Sequence, residues 1–558
     1  MPSLLQIWAL PMAVIAIANV AYTWLRLVNL TVPDPYLDEV FHVPQAQRYC
    51  NGDYTWDPKI TTPPGLYAIS LLFKPIIGNC DTSSLRALNA GAICLICVLA
   101  YDIRRNLRIR GRGASRASKE EAATKGWTAI LDAHTALNTS LFPPLFFFSG
   151  LYYTDVVSTL LVLFSYNTFL KRGTSGLQVW QGIAHVLIGI SALSMRQTNI
   201  CWVAIFPAGL ALVDALKTAS TKPASDAKPD AVNALKRSWT DGYAYDPPAS
   251  TASLQDYAVF VLSTAIAALR SPILAARVIT PHILLLGLFA GFVAWNGGVV
   301  LGDKSNHVAT VHTPQMLYIW PYINFFSLPL TLSVVLGPIV RRLPKSQTRT
   351  LVESRLIGQY RVSAPSFITA VLFLTLGTTA VHFNTIVHPF TLADNRHYVF
   401  YVFRILQRHP AIKFLAVPVY YICAWAAIQT VGLGSRRTLE DGQRADDRKP
   451  AKNEAMGQPC QSSFILIWLA TTALSVISAP LVEPRYFIIP WIMWRLHVPS
   501  IATASHSRSG EAGKTLYDIR LILETVWLLA INIITGYTFL YREFTWLNEP
   551  MRVQRFLW

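Results

Sequence analysis

The sequence predicts an all-α, polytopic membrane protein. Of its 558 residues, 52% are hydrophobic and only 14% are charged, whereas soluble domains carry roughly 25% charged residues. Apolar runs recur from one end to the other, and many approach the roughly 20 residues that a helix needs to cross a bilayer. The short segments of alternating polarity that are typical of membrane barrels are missing. A bundle of membrane-spanning helices is therefore the expected architecture.

The net charge of +17 is concentrated in short connectors between the apolar runs. The most basic connectors are 104–125 and 341–361, and the positive-inside rule places both in the cytosol. The basic excess therefore reports topology, and we expect no nucleic-acid partner. The opposite side receives the long first loop, about 31–84, which is expected to be ordered because it is rich in Pro, Gly and Trp.

About thirteen spans follow from the apolar runs. They lie near 5–28, 85–103, 127–147, 152–170, 178–195, 200–214, 281–301, 316–340, 365–386, 413–432, 462–481, 484–502 and 521–541. All belong to one integral-membrane domain, 1–558.

Four further stretches are interpreted differently. The apolar run at 64–80 is short and is predicted to be re-entrant or interfacial. The run at 257–278 is interrupted by two arginines and a proline, which favours an interfacial helix over a broken span. The polar stretches at about 215–256 and 435–460 are predicted to be cytosolic inserts, the first of them mobile.

The seven cysteines show no zinc-ligand pattern, and no metal site is predicted. Cys50 and Cys80 both fall in the first loop and could form a disulfide if that loop faces an oxidising lumen. Spacing alone leaves this pairing open.

Two adjacent carboxylates, Asp38 and Glu39, stand out in the first loop. On a helix, positions 38, 42 and 45 share one side, so that Asp38, His42 and Gln45 could face one cleft. A carboxylate there could act as a general base toward a sugar hydroxyl or could bind a cation. The alternative is a pair of solvated carboxylates that cap a short helix.

Several cationic side chains lie on the same predicted side of the membrane as the first loop. They are Arg196 in MRQTN, Lys304 and His307 in GDKSNH, His312, Arg396 and His397 in DNRHY, and Arg485 in EPRY. The planar fork of arginine suits phosphate oxygens, although an arginine at a helix end is often only an interfacial anchor. No DxD motif occurs in these loops, which favours a phosphate leaving group stabilised by protein cations over one held by a metal.

Six blocks of the sequence carry a family resemblance. They are YLDEVFHVPQAQRYCNGDYTWDPKITTPPGLY, MRQTNICWV, GDKSNHVATVHTPQMLY, HPFTLADNRHYVFY, EPRYFIIPW and RFLW. With them the chain resembles the dolichyl-phosphate-glucose-dependent alpha-1,2-glucosyltransferases of the endoplasmic reticulum, which add the third and last glucose to the lipid-linked oligosaccharide used in N-glycosylation. The resemblance covers nearly all spans and the non-cytosolic loops, but neither insert.

This resemblance implies a C-type glycosyltransferase fold with a luminal active site. The implied donor is dolichyl-phosphate-glucose, and the implied acceptor is a diglucosylated dolichyl-pyrophosphate oligosaccharide. Because the donor is beta-linked and the product alpha-linked, the reaction inverts the anomeric carbon in one displacement. That displacement needs a base for the 2-hydroxyl of the acceptor and a stabiliser for the departing dolichyl phosphate, with no covalent glycosyl intermediate. No metal cofactor is predicted.

The resemblance places an acidic catalytic residue at Asp38 or Glu39. We interpret Asp38 as the general base, with Glu39 orienting either Asp38 or the acceptor sugar, although the sequence leaves the reverse assignment open. Arg396 and His397 are predicted to bind the donor phosphate, followed by Arg485, Lys304 and Arg196. The predicted sugar-binding residues are His42, Gln45, Gln47, Arg48, Trp56, Asp303, His307 and Asp394. Grooves between the spans are expected to hold the lipid tail.

Two alternatives remain at this stage. One is a related luminal transferase that uses dolichyl-phosphate-mannose. The other is a non-enzymatic transporter or channel-associated protein, although a transporter would carry ionisable residues at mid-span, and here they gather at loops and span ends.

Overall fold

A computed structural model describes most of the chain. The described residues are 4–111, 121–172, 179–220, 229–304, 310–344, 346, 349, 352, 362–433, 460–479, 481–500, 503–504 and 515–558. Of the two predicted inserts, 435–460 lies outside the described residues except at its last position.

Helices account for nearly all of the regular structure. The α-helices are α1 Leu4–Thr31, α2 Glu39–Cys50, α3 Gly65–Ile77, α4 Thr82–Gly111, α5 Glu121–Ser140, α6 Pro143–Phe148, α7 Thr154–Lys171, α8 Val179–Leu193, α9 Phe206–Ala219, α10 Ala231–Asp241, α11 Leu254–Arg270, α12 Pro272–Asn296, α13 Gln315–Phe326, α14 Leu328–Val340, α15 Phe367–Asn384, α16 Pro389–Ala393, α17 Tyr398–Leu406, α18 Pro410–Val431, α19 Ser462–Val476, α20 Ile488–His497 and α21 Ile519–Tyr541.

Short elements complete the secondary structure. Gln197–Asn199 and Pro484–Phe487 are 3-10 turns, and Cys201–Ile205 is a π-helical turn that leads into α9. Two antiparallel ribbons pair β1 Thr503–Ala504 with β2 Thr515–Leu516, and β3 Phe544–Trp546 with β4 Glu549–Gln554.

The prediction of a polytopic helical membrane protein is confirmed, but the number of spans is not. Seven helical stretches among the described residues are long and apolar enough to cross a bilayer, or eight if a pair bent by 92° counts as one span. They are Gln6–Thr31, Thr82–Arg110, Gln197–Ala219, Pro272–Asn296, Phe367–Asn384, Pro410–Val431 and Ile519–Tyr541, with Gln315–Phe326 and Leu328–Val340 as the bent pair.

Prolines explain part of the difference from about thirteen spans. The apolar run at 127–147 is divided between α5 and the six-residue α6, which begins at Pro143. The run at 484–502 opens with a 3-10 turn at Pro484, and α20 then has only 10 residues. A proline lacks the backbone N–H of a continuous helix and clashes with the preceding turn, so neither of these two apolar runs is one continuous helix.

Two interpretations near the first insert are wrong in part. The stretch at 215–256 contains α10, whose Ala234 and Ser238 are buried; the Tyr245 hydroxyl donates to Asp256 of α11 at 2.6 Å. This part of the insert is therefore folded. The run at 257–278 is not one interfacial element, because α11 ends at Arg270 and the apolar helix α12, long enough to span, begins at Pro272.

The first loop, residues 32–81, is an ordered cap built on α2 and α3. As predicted, its apolar run forms a helix too short to cross a bilayer, the 13-residue α3. Cys50 and Cys80 form a disulfide, the pairing that spacing left open. The N–H of Gly65 donates to the Ser194 carbonyl at 2.8 Å, and a Cβ at position 65 would lie 2.4 Å from the Ser194 Oγ. Only glycine allows this close approach.

A second close approach ties the first loop to residues 301–303. The N–H of Asp303 donates to the Pro58 carbonyl, and the N–H of Leu301 donates to the Thr61 carbonyl. Gly302 has a φ of +61°, and a Cβ there would lie 2.2 Å from the Pro58 oxygen. Loops that are far apart in sequence thus hold one another at the same end of the bundle.

Replacing Cys50 with Ser is expected to lower the free energy of unfolding by about 3–4 kcal/mol, because the lost disulfide no longer restricts the unfolded chain. Its sequence separation is 30 residues. Denaturant unfolding of the purified protein in detergent measures the change. Cys80→Ser should lose the same amount and the double variant no more, while Cys423→Ser, which removes a free thiol, is the control. Equal stability of Cys50→Ser and wild-type protein would contradict this expectation.

Candidate active site

The two carboxylates of the first loop have opposite environments. Glu39 is 0% exposed and forms an ion pair with Arg86, which is equally buried. Two nitrogens of Arg86 meet the two oxygens of Glu39 at 2.8 and 2.6 Å. The backbone N–H groups of Tyr36 and Tyr152 also donate to this carboxylate, at 3.1 and 2.6 Å. Both oxygens of Glu39 are therefore occupied by structural hydrogen bonds.

Arg86 has further hydrogen-bond partners at the start of the first loop. It projects from α4 and also donates to Asn29 and to the carbonyls of Val32 and Asp34. A buried arginine is stable only where its donors are satisfied, and here the first loop supplies most of the acceptors. The Arg86–Glu39 pair therefore fastens the start of α2 to the bundle.

Asp38 is accessible by contrast, with a side chain that is 43% exposed. It precedes α2 with helical backbone angles, φ −59° and ψ −26°, and its side chain does not cap the helix. One oxygen accepts from Nη1 of Arg485 at 2.8 Å, and the Tyr153 hydroxyl is 3.2 Å from its backbone nitrogen. Asp38 thus presents its carboxylate to the adjoining cavity.

Arg485 is the centre of an ion cluster. Its Nε and Nη2 lie 3.0 and 2.9 Å from Glu483, while its Nη1 lies 2.8 Å from Asp38 and 3.9 Å from Asp155. Asp155, in the first turn of α7, is held from behind by Arg196 at 3.1 Å. Residues from the first loop, α7 and the turn before α20 therefore converge on one guanidinium.

Two pKa shifts follow from this cluster. Partial burial raises the pKa of Asp38, but the charge of Arg485, a smaller contribution from His42 and the hydrogen bond from Arg485 outweigh it, so the pKa lies below its ordinary value. Burial lowers the pKa of His42, against the pull of Asp38 and with the help of Arg196 and Arg485. At neutral pH Asp38 is therefore ionised and His42 is neutral.

A cavity of about 240 Å³ opens beside Asp38. It is lined by Leu37, Asp38, Tyr153, Phe390, Thr391, Asp394, His397, Val399, Leu481, Val482, Glu483, Arg485 and Leu557. Its volume is below the roughly 300–1,000 Å³ typical of pockets for drug-sized ligands. It can accept a small group, such as a sugar ring or a phosphate, and the rest of a larger ligand would extend outside it.

Asp394, Arg396 and His397 form a second cluster on this cavity. Arg396 binds both oxygens of Asp394, at 2.8 and 2.7 Å, and its guanidinium lies 4.7 Å from the Trp546 ring. Nε2 of His397 is 3.6 Å from Asp394. Burial raises the pKa of Asp394, but Arg396 and His397 outweigh it and the pKa falls below its ordinary value. Asp394 and His397 line the same cavity as Asp38.

The remaining predicted site residues are spread more widely. His42 shares a 2.6 Å hydrogen bond with the Tyr67 hydroxyl. Gln45 holds the backbone of Thr55 and Asp57, and Gln47 holds the Cys80 carbonyl. The side chains of Gln45 and Gln47 thus brace the first loop itself, in contrast to Asp38.

Other predicted ligands lie outside the cavity lining. Arg48 lies on α2, and Trp56 packs against Tyr67 with ring centroids 5.9 Å apart. Lys304 donates to the Asn296 carbonyl, and Asp303 is exposed beside Pro58. His307 lies outside the described residues.

Three residues of the site escaped sequence reasoning as site residues: Arg86, Asp155 and Glu483. Arg86 stands at the start of an apolar run and resembles an interfacial anchor. Glu483 lies in EPRY, beside the predicted ligand Arg485, and Asp155 lies in the short segment SGLYYTD that precedes an apolar run. A buried arginine needs a carboxylate partner. That rule could have suggested a partner for Arg86, and could have suggested Asp155 and Glu483 as partners for nearby arginines.

In the part of the chain that the structure describes, no three His, Cys, Asp or Glu side chains are grouped so that they could hold a metal ion. The acids at the cavity are paired with Arg485 or Arg396 instead. The site therefore offers cationic nitrogens as the available stabilisers of negative charge.

The fold and the site define a class of protein. It is a multi-pass membrane protein whose cavity is lined by the accessible carboxylate of Asp38, by Arg485 and by Asp394, which Arg396 holds. The chain belongs to the DIE2/ALG10 family, whose model matches residues 32–496. It is 41% identical to a Pyricularia oryzae protein, over 96% of this chain and 92% of that one. It is 31% identical to an Arabidopsis thaliana protein, over 99% and 98%, and 30% identical to a Rattus norvegicus protein, over 94% and 93%.

All three relatives carry the name Dol-P-Glc:Glc(2)Man(9)GlcNAc(2)-PP-Dol alpha-1,2-glucosyltransferase. Among solved structures, the Archaeoglobus fulgidus oligosaccharyltransferase matches with 12% identity and a TM-score of 0.27, over 87% of this chain and 56% of that one. A TM-score this low does not establish a shared fold.

Proposed function

We propose that this protein transfers glucose from dolichyl-phosphate-glucose to the terminal glucose of a diglucosylated dolichyl-pyrophosphate oligosaccharide, forming an alpha-1,2 linkage with inversion. Family membership over nearly the full chain supports the reaction. The observation that carries the site assignment is the Asp38–Arg485 pair at the cavity, because it sets a base beside a cation for the leaving phosphate. A C-type glycosyltransferase fold is part of the proposal.

Asp38 is the general base in this mechanism. Its carboxylate takes the proton of the acceptor 2-hydroxyl, and the oxygen attacks the anomeric carbon of the donor glucose. The bond from that carbon to the phosphate oxygen breaks, and its electron pair leaves with dolichyl phosphate. Glu39 cannot serve in the same way without losing four hydrogen bonds, so its role is to orient the segment that carries Asp38.

Arg485, Arg396 and His397 are the proposed stabilisers of the departing phosphate. A guanidinium has five N–H donors. Arg485 directs three of them to Glu483 and Asp38, and Arg396 directs three to Asp394 and Gln554 and also interacts with Tyr36. The remaining donors can contact phosphate oxygens while the carboxylate partners hold each arginine in place. Arg196 contributes indirectly, because it forms an ion pair with Asp155, which in turn lies near Arg485. These nitrogens take the part that a metal plays elsewhere, and we propose that no metal cofactor is needed.

The proposed location is the endoplasmic-reticulum membrane, with the site on the luminal side. The positive-inside pattern supports this orientation, and so does the disulfide of the first loop, because disulfides persist in oxidising compartments. Among the predicted sugar-binding residues that the structure describes, Asp394 lines the cavity, and it is the proposed contact for a hydroxyl of the transferred glucose.

A transfer assay tests the proposal with purified protein in lipid nanodiscs. Dolichyl-phosphate-glucose and dolichyl-phosphate-mannose are offered separately with lipid-linked acceptors carrying one, two or three glucoses. We expect transfer of glucose alone, to the diglucosylated acceptor alone, with an alpha-1,2 product. Mannose transfer would instead support the mannosyl alternative. Lipid or ion movement by folded protein without any transfer would support a transporter.

Replacing Arg485 with Gln is expected to move the acid limb of the pH–rate profile to higher pH. In the wild-type protein the pKa of Asp38 lies below its ordinary value, so the base form survives until the pH falls through that lowered pKa. Without the guanidinium the pKa rises, and rate is lost earlier on acidification. The kcat/KM of each variant is measured against pH and normalised to its own maximum. Arg408→Gln, at an exposed arginine, is the control, and an unmoved acid limb in Arg485→Gln would contradict the expectation.

A further inference from the structure

The C-terminal segment Gln554–Trp558 contacts both sides of the candidate site. We infer that this segment is a positioning element, which sets the Asp38 loop and the Arg396–His397 pair at their working separation, and that Tyr36 is the residue that locks it to the loop. The inference rests on the proposed function and adds residues that do not themselves take part in the chemistry.

Tyr36 binds the segment through a single hydroxyl. That hydroxyl accepts from the backbone N–H of Arg555 at 2.7 Å and donates to the carbonyl of the same residue at 3.0 Å. Tyr36 stands two residues before Asp38, and its backbone N–H donates to Glu39. A displacement of residue 555 is therefore transmitted to the turn that carries the proposed base.

The segment binds the other side of the site through backbone and side-chain groups. The N–H of Leu557 donates to the Arg396 carbonyl at 3.0 Å, and the N–H of Tyr398 donates to the Leu557 carbonyl at 3.2 Å. Nη1 of Arg396 donates to the side chain of Gln554 at 2.9 Å. The orientation of the Arg396 guanidinium is thus fixed from the tail.

His397 is oriented by the same segment. Its Nδ1 lies 3.2 Å from the Trp558 carbonyl; because a carbonyl oxygen only accepts, Nδ1 donates this hydrogen bond and the tail sets the orientation of the ring. Nε2 is the nitrogen near Asp394. Such a contact at one ring nitrogen decides which tautomer the other presents.

The segment is itself rigidly held. Arg555 is 8% exposed, and its Nη1 donates to the carbonyls of Phe539 and Leu540 at the end of α21. Leu557 is 1% exposed and lines the cavity. Leu557 is therefore part of the cavity wall, and its size bears on how closely a bound sugar can fit.

Tyr36→Phe tests the inference because it keeps the ring and removes both hydrogen bonds to Arg555, together with the interaction of the hydroxyl with Arg396. We expect kcat to fall by about 10- to 100-fold, the scale of a small misplacement of reacting groups, while the thermal midpoint of unfolding stays within a few degrees of wild type. Tyr541→Phe is the matched control, since Tyr541 is 54% exposed on α21, and it should leave kcat and KM unchanged.

Leu557→Ala provides an independent second variant. It should lower kcat more than it changes the KM for the acceptor, and Leu557→Ile should restore most of the loss because it restores the volume. Wild-type kcat and KM in both Tyr36→Phe and Leu557→Ala, measured on protein that transfers glucose, would overturn the inference and leave the proposed function standing. Absence of transfer by the wild-type protein would instead overturn the proposed function.

Discussion

Replacing Asp38 with Asn is expected to lower the kcat of glucose transfer by about 10²–10⁴-fold, the usual contribution of a general base. The amide keeps the size of the side chain and can still accept a hydrogen bond from Arg485, but it cannot take the proton of the acceptor hydroxyl. Because the Asp38 side chain is 43% exposed, the fold should not depend on its charge. Donor binding should change much less than turnover.

The measurement is steady-state transfer with both substrates saturating, together with a thermal unfolding curve for each protein. Asp34→Asn removes an exposed carboxylate four residues upstream and is the matched control, with wild-type kcat expected. If folded Asp38→Asn protein transferred glucose at the wild-type rate, Asp38 would not be the base.

Replacing Glu39 with Gln is expected to destabilise the fold by about 3–5 kcal/mol, the scale of breaking one partner out of a buried ion pair. The neutral amide would leave the Arg86 charge uncompensated at a place where both side chains are 0% exposed. The protein should unfold at lower temperature or denaturant concentration and accumulate poorly in cells. Any activity that remains should be limited by the amount of folded protein.

A double variant separates these roles of Glu39. Glu39→Gln combined with Arg86→Met removes the unpaired charge and should recover part of the lost stability, because replacing both members of a buried pair is often tolerated. The result that would reverse the assignment is Glu39→Gln protein with wild-type stability and no transfer, since Glu39 would then be needed for chemistry rather than for folding.

The sequence located the acidic loop but could not distinguish its two acids. Adjacent residues on a helix differ in direction by about 100°, so the two acids had to face different surroundings, and the pattern does not say which of them faces inward. The deciding partner, Arg86, lies 47 positions from Glu39 in sequence and is found only through the tertiary fold. Helical spacing put positions 38, 42 and 45 on one side, where they could have faced one cleft. The Gln45 side chain instead forms hydrogen bonds with the backbone of Thr55 and Asp57.

The predicted phosphate-binding set divides for a similar reason. Arg485 and His397 line the cavity, and Arg396 binds Asp394, which lines it too. Lys304 remains exposed near Asn296, and Arg196 is used by Asp155. Residue type and membrane side were visible in the sequence. The depth and direction of each side chain depend on packing between loops that lie far apart in sequence.

The bonds between Tyr36 and Arg555 span 519 positions, and this distance has a consequence for biosynthesis. The first loop emerges early and can close its local disulfide, whose cysteines are only 30 residues apart, before most of the bundle has been made. The turn that carries Asp38 gains its contact with Arg485 only later in synthesis, and the segment that contains Leu557 is made later still. Such non-local contacts form slowly. The proposed site is therefore complete only after α21 and the segment that follows it have been made.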